Sequence, residues 1–185
     1  MKLVVALTGA SGQIYGVKAL EILKDKDVET HLVISNSAKI TMEVEGYDFE
    51  RIKSLATHFY EENDLTAPIS SGSFKHDGML IAPCSIKTAS SIAYGITDNL
   101  ISRAADVCLK EGRKLILLIR ETPLHYGHLK TLTRLAKIGA TIMPPIPTFY
   151  TKPKSIDEIV SHTILRALEI FGVDVDYPRW RGARF

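Results

Sequence analysis

Short apolar runs alternate along this chain with longer segments in which apolar residues recur every three or four positions. A short apolar run is typical of a strand buried on both faces, and the longer periodic segments are typical of amphipathic helices. This alternation predicts a parallel sheet with helices on both sides. The predicted strands cover residues 3–7, 29–34, 79–82, 114–119 and 140–143.

The helical pattern covers six further segments, namely residues 13–24, 36–46, 87–94, 100–111, 125–137 and 155–171. The less regular stretch 47–76 predicts a helix followed by a loop and one short strand. Residues 172–185 form a tail with too little apolar content for a core of its own. We therefore expect one α/β domain over residues 1–185, a three-layer α/β/α open sheet that is mostly parallel.

The composition is that of an ordinary globular protein, since 45% of the 185 residues are hydrophobic and 24% are charged. A formal net charge of +2 gives no reason to expect nucleic acid or an anionic membrane surface as a partner. No apolar stretch approaches the roughly 20 residues that are needed to span a bilayer. We expect a cytoplasmic protein.

The cysteines and histidines show no spacing that is typical of metal ligands. Cys84 and Cys108 are isolated, which favours a reducing compartment and predicts neither a disulfide nor a zinc site. The six histidines show no HxxxH or related pattern, so we expect no metal site.

The loop after the first strand reads Thr8-Gly9-Ala10-Ser11-Gly12 and leads into a helix that contains Gly16. Glycines allow close backbone approach, and the start of a helix offers N–H groups and a positive dipole end to a phosphate. The spacing differs from the dinucleotide pattern GxGxxG, and Ser35 stands where an acidic residue would bind a ribose. The loop therefore favours a mononucleotide, although a turn that only caps the helix would look similar.

Three other loops follow predicted strands, and ligands of open α/β sheets bind at that edge. Residues 83–88 read Pro-Cys-Ser-Ile-Lys-Thr and predict a second anion cradle or a plain helix cap by Ser85. Arg120 and Glu121 offer a phosphate-binding fork beside a proton-transferring carboxylate, or a solvated ion pair. Residues 144–150 combine prolines with Phe149 and Tyr150, which can wall a planar ligand.

Together these loops resemble the UbiX family of flavin prenyltransferases, formerly described as aromatic-acid decarboxylases. The resemblance runs from Gly9-Ala-Ser-Gly-x-x-Tyr15-Gly16 to Pro178-Arg-Trp180. Its most specific stretches lie in order at residues 70–74, 83–88, 103–107, 109–111, 120–125 and 144–150.

The resemblance implies a Rossmann-like or flavodoxin-like protein that assembles as a homododecamer. It implies transfer of a dimethylallyl group from dimethylallyl phosphate to N5 and C6 of reduced FMN, without a metal. The product, prenylated FMN, is the cofactor of UbiD-type decarboxylases. Whether the donor is a monophosphate or a diphosphate stays open.

The resemblance also implies roles for individual residues. Expected FMN contacts are Gly9, Ala10, Ser11, Ser35, Ser85, Ile86, Lys87, Thr88 and Arg120. Expected contacts of dimethylallyl phosphate are Tyr150, Arg166, Arg103 and Lys110, some of them across a subunit interface. The catalytic set would be Glu45, Glu121 and Lys110, with Glu43 as the alternative to Glu45, and Trp180 would face the allyl group.

These residue types suit the implied chemistry. Cations stabilise the departing phosphate, aromatic surfaces stabilise an allylic cation, and Glu121 can act as base toward flavin C6 or as acid toward the phosphate. The tail can serve as a lid that excludes water. Two alternatives stay open: an FMN-dependent decarboxylase of the same fold, acting on a cysteine or an aromatic acid, and a flavin carrier without chemistry.

Overall fold

The computed structural model describes residues 1–182 and contains six strands and seven helices in that range. The strands are β1 (Lys2–Leu7), β2 (Glu29–Ile34), β3 (His58–Glu61), β4 (Gly78–Cys84), β5 (Lys114–Ile119) and β6 (Thr141–Ile142). The helices are α1 (Gln13–Asp25), α2 (Asn36–Val44), α3 (Phe49–Lys53), α4 (Ile86–Ala93), α5 (Leu100–Lys110), α6 (Tyr126–Lys137) and α7 (Ile156–Phe171). The predicted helix and short strand within residues 47–76 are α3 and β3.

All six strands form one parallel sheet in the order β3-β2-β1-β4-β5-β6. Helices α1 and α7 pack against each other on one face, and α4 packs with α5 and α6 on the other. The prediction of a three-layer α/β/α sheet is thus confirmed. The order of the strands reverses between β1 and β4, so the loops after these two strands diverge and leave a crevice.

The central strands are buried on both faces, which explains their continuous apolar runs. Every residue of β4 is buried, as are five of the six residues of β1. The chain after α7 also belongs to this core, because Val173, Val175 and Tyr177 are each only 7% exposed. The predicted tail is therefore part of the packing as far as Tyr177, residues 178–182 are exposed, and residues 183–185 lie outside the described range.

Helix α1 approaches the sheet so closely that only glycine fits at position 16. A Cβ atom there would lie 2.4 Å from the carbonyl oxygen of Ala82 and 2.5 Å from Cγ of Leu7. We expect Gly16→Ala to lower the free energy of unfolding by about 1–3 kcal/mol, the usual cost of overpacking a core. Urea titration measures it.

Gly112→Ala is the control for this substitution. Gly112 has a φ of 65° but no atom within 4 Å of its Cβ position, so its cost reports backbone strain alone, roughly 1–2 kcal/mol. Because the cost at Gly16 comes from contacts, a compensating Leu7→Ala change should recover part of it. Normal stability of Gly16→Ala would contradict the close packing of α1.

Candidate functional site

The crevice between the ends of β1 and β4 is held together by Thr8. Its buried hydroxyl donates to the carbonyl oxygen of Pro83 at 2.8 Å and accepts from the backbone N–H of Ser85 at 2.8 Å. Gln13 fixes the glycine loop from inside, since its amide donates to the carbonyl oxygens of Thr8 and Ala10 at 2.9 and 2.8 Å. Sequence reasoning missed Gln13, because its contacts depend on how the loop folds back.

Glu45 occupies the start of α1. Its two carboxylate oxygens accept from the backbone N–H groups of Gly12 at 2.7 Å and Gln13 at 2.8 Å. These N–H groups were expected to be free for a phosphate, and that expectation is wrong for this helix. The carboxylate of Glu45 complements the positive end of the helix dipole. Glu43, the alternative, is exposed, so the geometry favours Glu45 as the glutamate at this edge.

Loss of this carboxylate is expected to weaken the glycine loop. We expect Glu45→Gln to lower the free energy of unfolding by about 0.5–2 kcal/mol, the usual cost of a lost helix cap, because a neutral amide accepts less strongly and supplies only one acceptor oxygen. Glu43→Gln on the same segment is the matched control and should leave the stability unchanged. Equal melting curves for the two variants would contradict the proposed stabilisation of the start of α1 by Glu45.

Two other helix starts at the crevice carry hydroxyl groups. Ser35 caps α2 by accepting from the N–H of Ala38 at 3.1 Å, and its hydroxyl lies 3.1 Å from that of Ser37. A Cβ atom on Gly9 would lie 2.5 Å from Oγ of Ser37, so only glycine allows Ser37 to pack this closely against the loop. Ser37, which is exposed, was missed because the resemblance pointed only to Ser35.

The start of α4 faces the same crevice. Ser85 caps α4, accepting from the N–H of Thr88 at 3.3 Å and donating to its hydroxyl at 3.1 Å. Within residues 1–182, the backbone N–H groups of Ile86 and Lys87 have no protein acceptor. Since the N–H groups of α1 are taken by Glu45, α4 offers free donors to an anion.

Cys84 lies at the end of β4 and is fully buried. Burial raises the pKa of its thiol far above the ordinary value, so the thiol stays protonated. A protonated, inaccessible thiol is a poor nucleophile. The geometry identifies Cys84 as a small packing residue.

Arg120 reaches across the glycine loop. Its Nε donates to the carbonyl oxygen of Ser11 at 3.0 Å, and its backbone N–H donates to the carbonyl oxygen of Cys84 at 3.0 Å. Burial raises the pKa of the nearby Tyr15 phenol, and the Arg120 guanidinium acts in the opposite direction. Glu121 follows, with one carboxylate oxygen accepting from the N–H of Thr122 at 3.0 Å. The crevice therefore has a cation and a carboxylate along one rim.

A second cluster consists of aromatic side chains and lies where Tyr150 and Trp180 pack near His162 of helix α7. The ring of Tyr150 packs edge-on against Trp180, with centroids 5.5 Å apart, and against His162 at 6.2 Å. Nε2 of His162 is 3.1 Å from the carbonyl oxygen of Pro178, which holds the tail in place. Tyr150 and Trp180 are 45% and 62% exposed, so this aromatic surface is open to a ligand or to another protein chain.

Arg166 belongs to the same cluster. Tyr177 donates to Glu169, and Glu169 also pairs with Arg179 at 2.6 Å. Burial and the bond to Glu169 raise the pKa of Tyr177, and the nearby Arg166 guanidinium lowers it. Within residues 1–182, no hydrogen bond, ion pair or aromatic contact joins this cluster to Glu45, Arg120 or Glu121.

The remaining predicted residues, Arg103 and Lys110, lie on α5. Nε of Arg103 donates to the carbonyl oxygen of Ser70 at 3.0 Å, and the guanidinium pairs with Asp106 at 3.2 Å. Lys110 ends α5 just before β5 begins at Lys114, at the amino edge of the sheet. The six residues of β5 span roughly 20 Å, so Lys110 does not reach the crevice of its own chain.

Comparisons with known proteins agree with this geometry. The model of the family described as Flavoprotein matches residues 1–168. The flavin prenyltransferase UbiX of Archaeoglobus fulgidus is 59% identical over 181 residues, covering 97% of this chain and all of that protein. The flavin prenyltransferase UbiX of Thauera aromatica is 50% identical, covering 98% of this chain and 95% of that protein.

Among solved structures, AnUbiX (PadA1) in complex with FMN and dimethylallyl pyrophosphate is similar, with a TM-score of 0.96 and 45% identity over 99% of this chain and 98% of that one. A dodecameric FMN-dependent UbiX-like decarboxylase from Escherichia coli O157:H7 has a TM-score of 0.94 and 46% identity over 99% of this chain and 100% of that one. From its crevice, its sequence and these likenesses, the chain belongs to the UbiX family of flavin prenyltransferases.

Proposed function

We propose that this protein transfers the dimethylallyl group of dimethylallyl phosphate to reduced FMN and so makes prenylated FMN. The observation that carries the proposal is the crevice at the reversal of the strand order, where Arg120 and Glu121 stand beside a glycine loop that Glu45 holds in place. A flavin carrier would need the glycine loop and the hydroxyls, but it would have no use for a carboxylate at Glu121.

The residues of the crevice fit FMN. Gly9 has no side chain, which lets Ser37 pack directly against the glycine loop with its exposed hydroxyl at the crevice. Ser35 and Ser85 each accept a helix N–H group, Ser85 donates its hydroxyl proton to Thr88, and the N–H groups of Ile86 and Lys87 are unpaired within residues 1–182. These donors suit a phosphate monoester, and Ala10, Ser11 and Thr88 complete the predicted set.

Bound reduced FMN supplies the electron-rich ring that accepts the allyl group. Glu121 then has a role that no other carboxylate at this rim fills, because the carboxylate of Glu45 is occupied by two backbone N–H groups. Glu121 takes the proton that leaves flavin C6 or gives one to the departing phosphate. Arg120, at the same rim, positions the flavin, because its side chain is fixed over the glycine loop by the bond to Ser11.

The donor site consists of Tyr150, Arg166 and Trp180. Arg166 binds the phosphate, Tyr150 adds a hydroxyl, and the aromatic faces stabilise positive charge on the allyl fragment. The AnUbiX complex contains a pyrophosphate donor, which supports an anion site of this kind. The monophosphate remains our proposed donor, and the test below includes both.

Oligomerisation completes the site. Because no hydrogen bond, ion pair or aromatic contact within residues 1–182 joins the donor cluster to Glu121, and Lys110 lies at the opposite edge, we infer that a neighbouring copy brings these groups to the crevice. A homododecamer like that of the E. coli relative supplies such neighbours. No helix within residues 1–182 has both the length and the apolar content to cross a membrane. We place the protein in the cytoplasm, where the two free cysteines stay reduced.

A coupled reaction tests the proposal. The full chain, reduced FMN and dimethylallyl phosphate are mixed without oxygen and then added to a UbiD-type decarboxylase that lacks its cofactor. We expect decarboxylation to appear, and not to appear when the donor is omitted. If FMN binds but neither the monophosphate nor the diphosphate restores decarboxylation, a flavin carrier or an FMN-dependent decarboxylase becomes the better account.

A further inference from the structure

A cluster of nitrogen and oxygen ligands lies at the amino edge of the sheet, opposite the flavin crevice. Strands β2 and β3 are parallel neighbours, and their register places His31 directly opposite His58. Glu29 comes two residues before His31 on the same strand, so its side chain points to the same face. The three side chains therefore converge although they are far apart in sequence.

We propose that Glu29, His31 and His58 bind a divalent transition-metal ion, with Zn²⁺ as the best match. Oε1 of Glu29 lies 3.1 Å from Nε2 of His31 and 3.6 Å from Nε2 of His58. Ligands of a tetrahedral zinc ion with bonds of about 2.0–2.1 Å are separated by roughly 3.3 Å, so these distances bracket the required one. Two histidines and one glutamate leave the fourth position to water.

The surroundings of His31 suit a metal ligand. Its side chain is only 3% exposed, and Nδ1 lies 2.9 Å from the hydroxyl of Tyr60, which fixes the ring with Nε2 directed at Glu29. Metal-binding histidines usually have such a partner on the second nitrogen.

A metal ion can reach this cluster from solvent. The side chain of His58 is 47% exposed, and Glu29 and His58 line an open surface hollow of about 630 Å³. The rings of His31 and His58 stack with centroids 4.7 Å apart and planes 24° apart, so both Nε2 atoms face one ion only after the half-exposed His58 ring turns about its own side-chain bonds.

Lys2 competes with the metal. Its ammonium lies 3.0 Å from Oε1 of Glu29, and its hydrogen bond lowers the pKa of that carboxyl group. A bound dication would have to displace this ammonium, whose side chain is 42% exposed and free to turn toward solvent. The cluster therefore predicts that removal of Lys2 strengthens metal binding.

Zinc binding to the untagged, full-length protein tests the inference by calorimetric titration. We expect one Zn²⁺ per chain, and at least about 100-fold weaker binding in His58→Ala, because loss of a ligand should exceed the 10–100-fold effect of losing an outer partner. Lys2→Met should bind about tenfold more tightly, since a competing ammonium is gone. His125→Ala is the matched control and should bind like the parent protein.

The control variant His125→Ala also tests whether zinc binds at the other pair of neighbouring histidines. His125 and His128 form a separate pair with ring centroids 3.5 Å apart. Binding that is lost in His125→Ala, or is equal in His58→Ala and the parent protein, overturns the proposal. Circular dichroism confirms that each variant is folded.

Cobalt supplies a second readout that does not depend on a ligand substitution. Co²⁺ in place of Zn²⁺ should give the intense visible absorption of a tetrahedral site, and Tyr60→Phe should weaken its binding about tenfold. Weak absorption typical of hexaaqua cobalt overturns the proposal. The inference does not rest on the flavin chemistry, because the cluster and the crevice lie at opposite edges of the sheet.

Discussion

Replacing Glu121 by Gln is expected to lower the rate of flavin prenylation by about 10²- to 10⁴-fold, the usual contribution of a positioned general acid or base. Glu121 is half-buried at the rim of the crevice, and one of its oxygens accepts from the N–H of Thr122. The second oxygen is free to exchange a proton with a substrate. Gln keeps the shape and the polar contact but cannot take a proton at neutral pH.

The measurement is single-turnover formation of prenylated FMN, followed at saturating FMN and donor. The affinity for FMN should stay within a few-fold of the parent value, because Glu121 is not among the proposed flavin contacts. Glu43→Gln, an exposed glutamate on the far side of the Glu45 segment, is the control and should react normally. A normal rate in Glu121→Gln would contradict the proposed role of Glu121 in proton transfer.

Arg166→Ala is expected to lower kcat/KM for dimethylallyl phosphate by about 10²- to 10³-fold, comparable to removal of one charged or polar donor from a developing anion. Tyr177, Glu169 and Arg179 form a network beside Arg166 and hold it on the outer face of α7. Because a guanidinium binds phosphate in a forked geometry, Arg166→Lys should recover only part of the loss.

Steady-state kinetics with the donor varied separates this role from one in folding. Arg51→Ala is the matched control, since the Arg51 side chain is 75% exposed on α3, away from both clusters. The affinity for FMN should not change in either variant. An unchanged kcat/KM in Arg166→Ala would contradict phosphate binding by Arg166 and would favour Arg103 and Lys110 as the phosphate site.

Local patterns were sufficient to predict most elements of the fold. The strand predicted at residues 114–119 has those bounds in the structure, and the helix predicted at 100–111 differs by one residue. The prediction at 140–143 was longer than the observed β6 (Thr141–Ile142), which is an edge strand with only one neighbour. Edge strands have few pairing partners, so their bounds depend on tertiary contacts that a sequence pattern does not contain.

Contacts between distant segments were harder to predict. Glu45 reaches the start of α1 from 33 residues away, and His31 meets His58 only because β2 and β3 are neighbours. The expectation that α1 offers free N–H groups was wrong because Glu45, which is distant in the sequence, accepts from them. Lys110 shows the converse case. It belongs to a motif of the family but lies at the far edge of its own chain, and we propose that it acts in a neighbour's site.

The mass of the flavin product distinguishes a flavin prenyltransferase from a flavin carrier. Reduced FMN, dimethylallyl phosphate and the full-length protein are incubated without oxygen, and the flavin is released and its mass measured. The account predicts a gain of one five-carbon prenyl unit, which disappears when the donor is omitted and falls sharply in Glu121→Gln. An unchanged flavin mass, with FMN bound and the diphosphate donor also tried, would contradict the assignment as a flavin prenyltransferase.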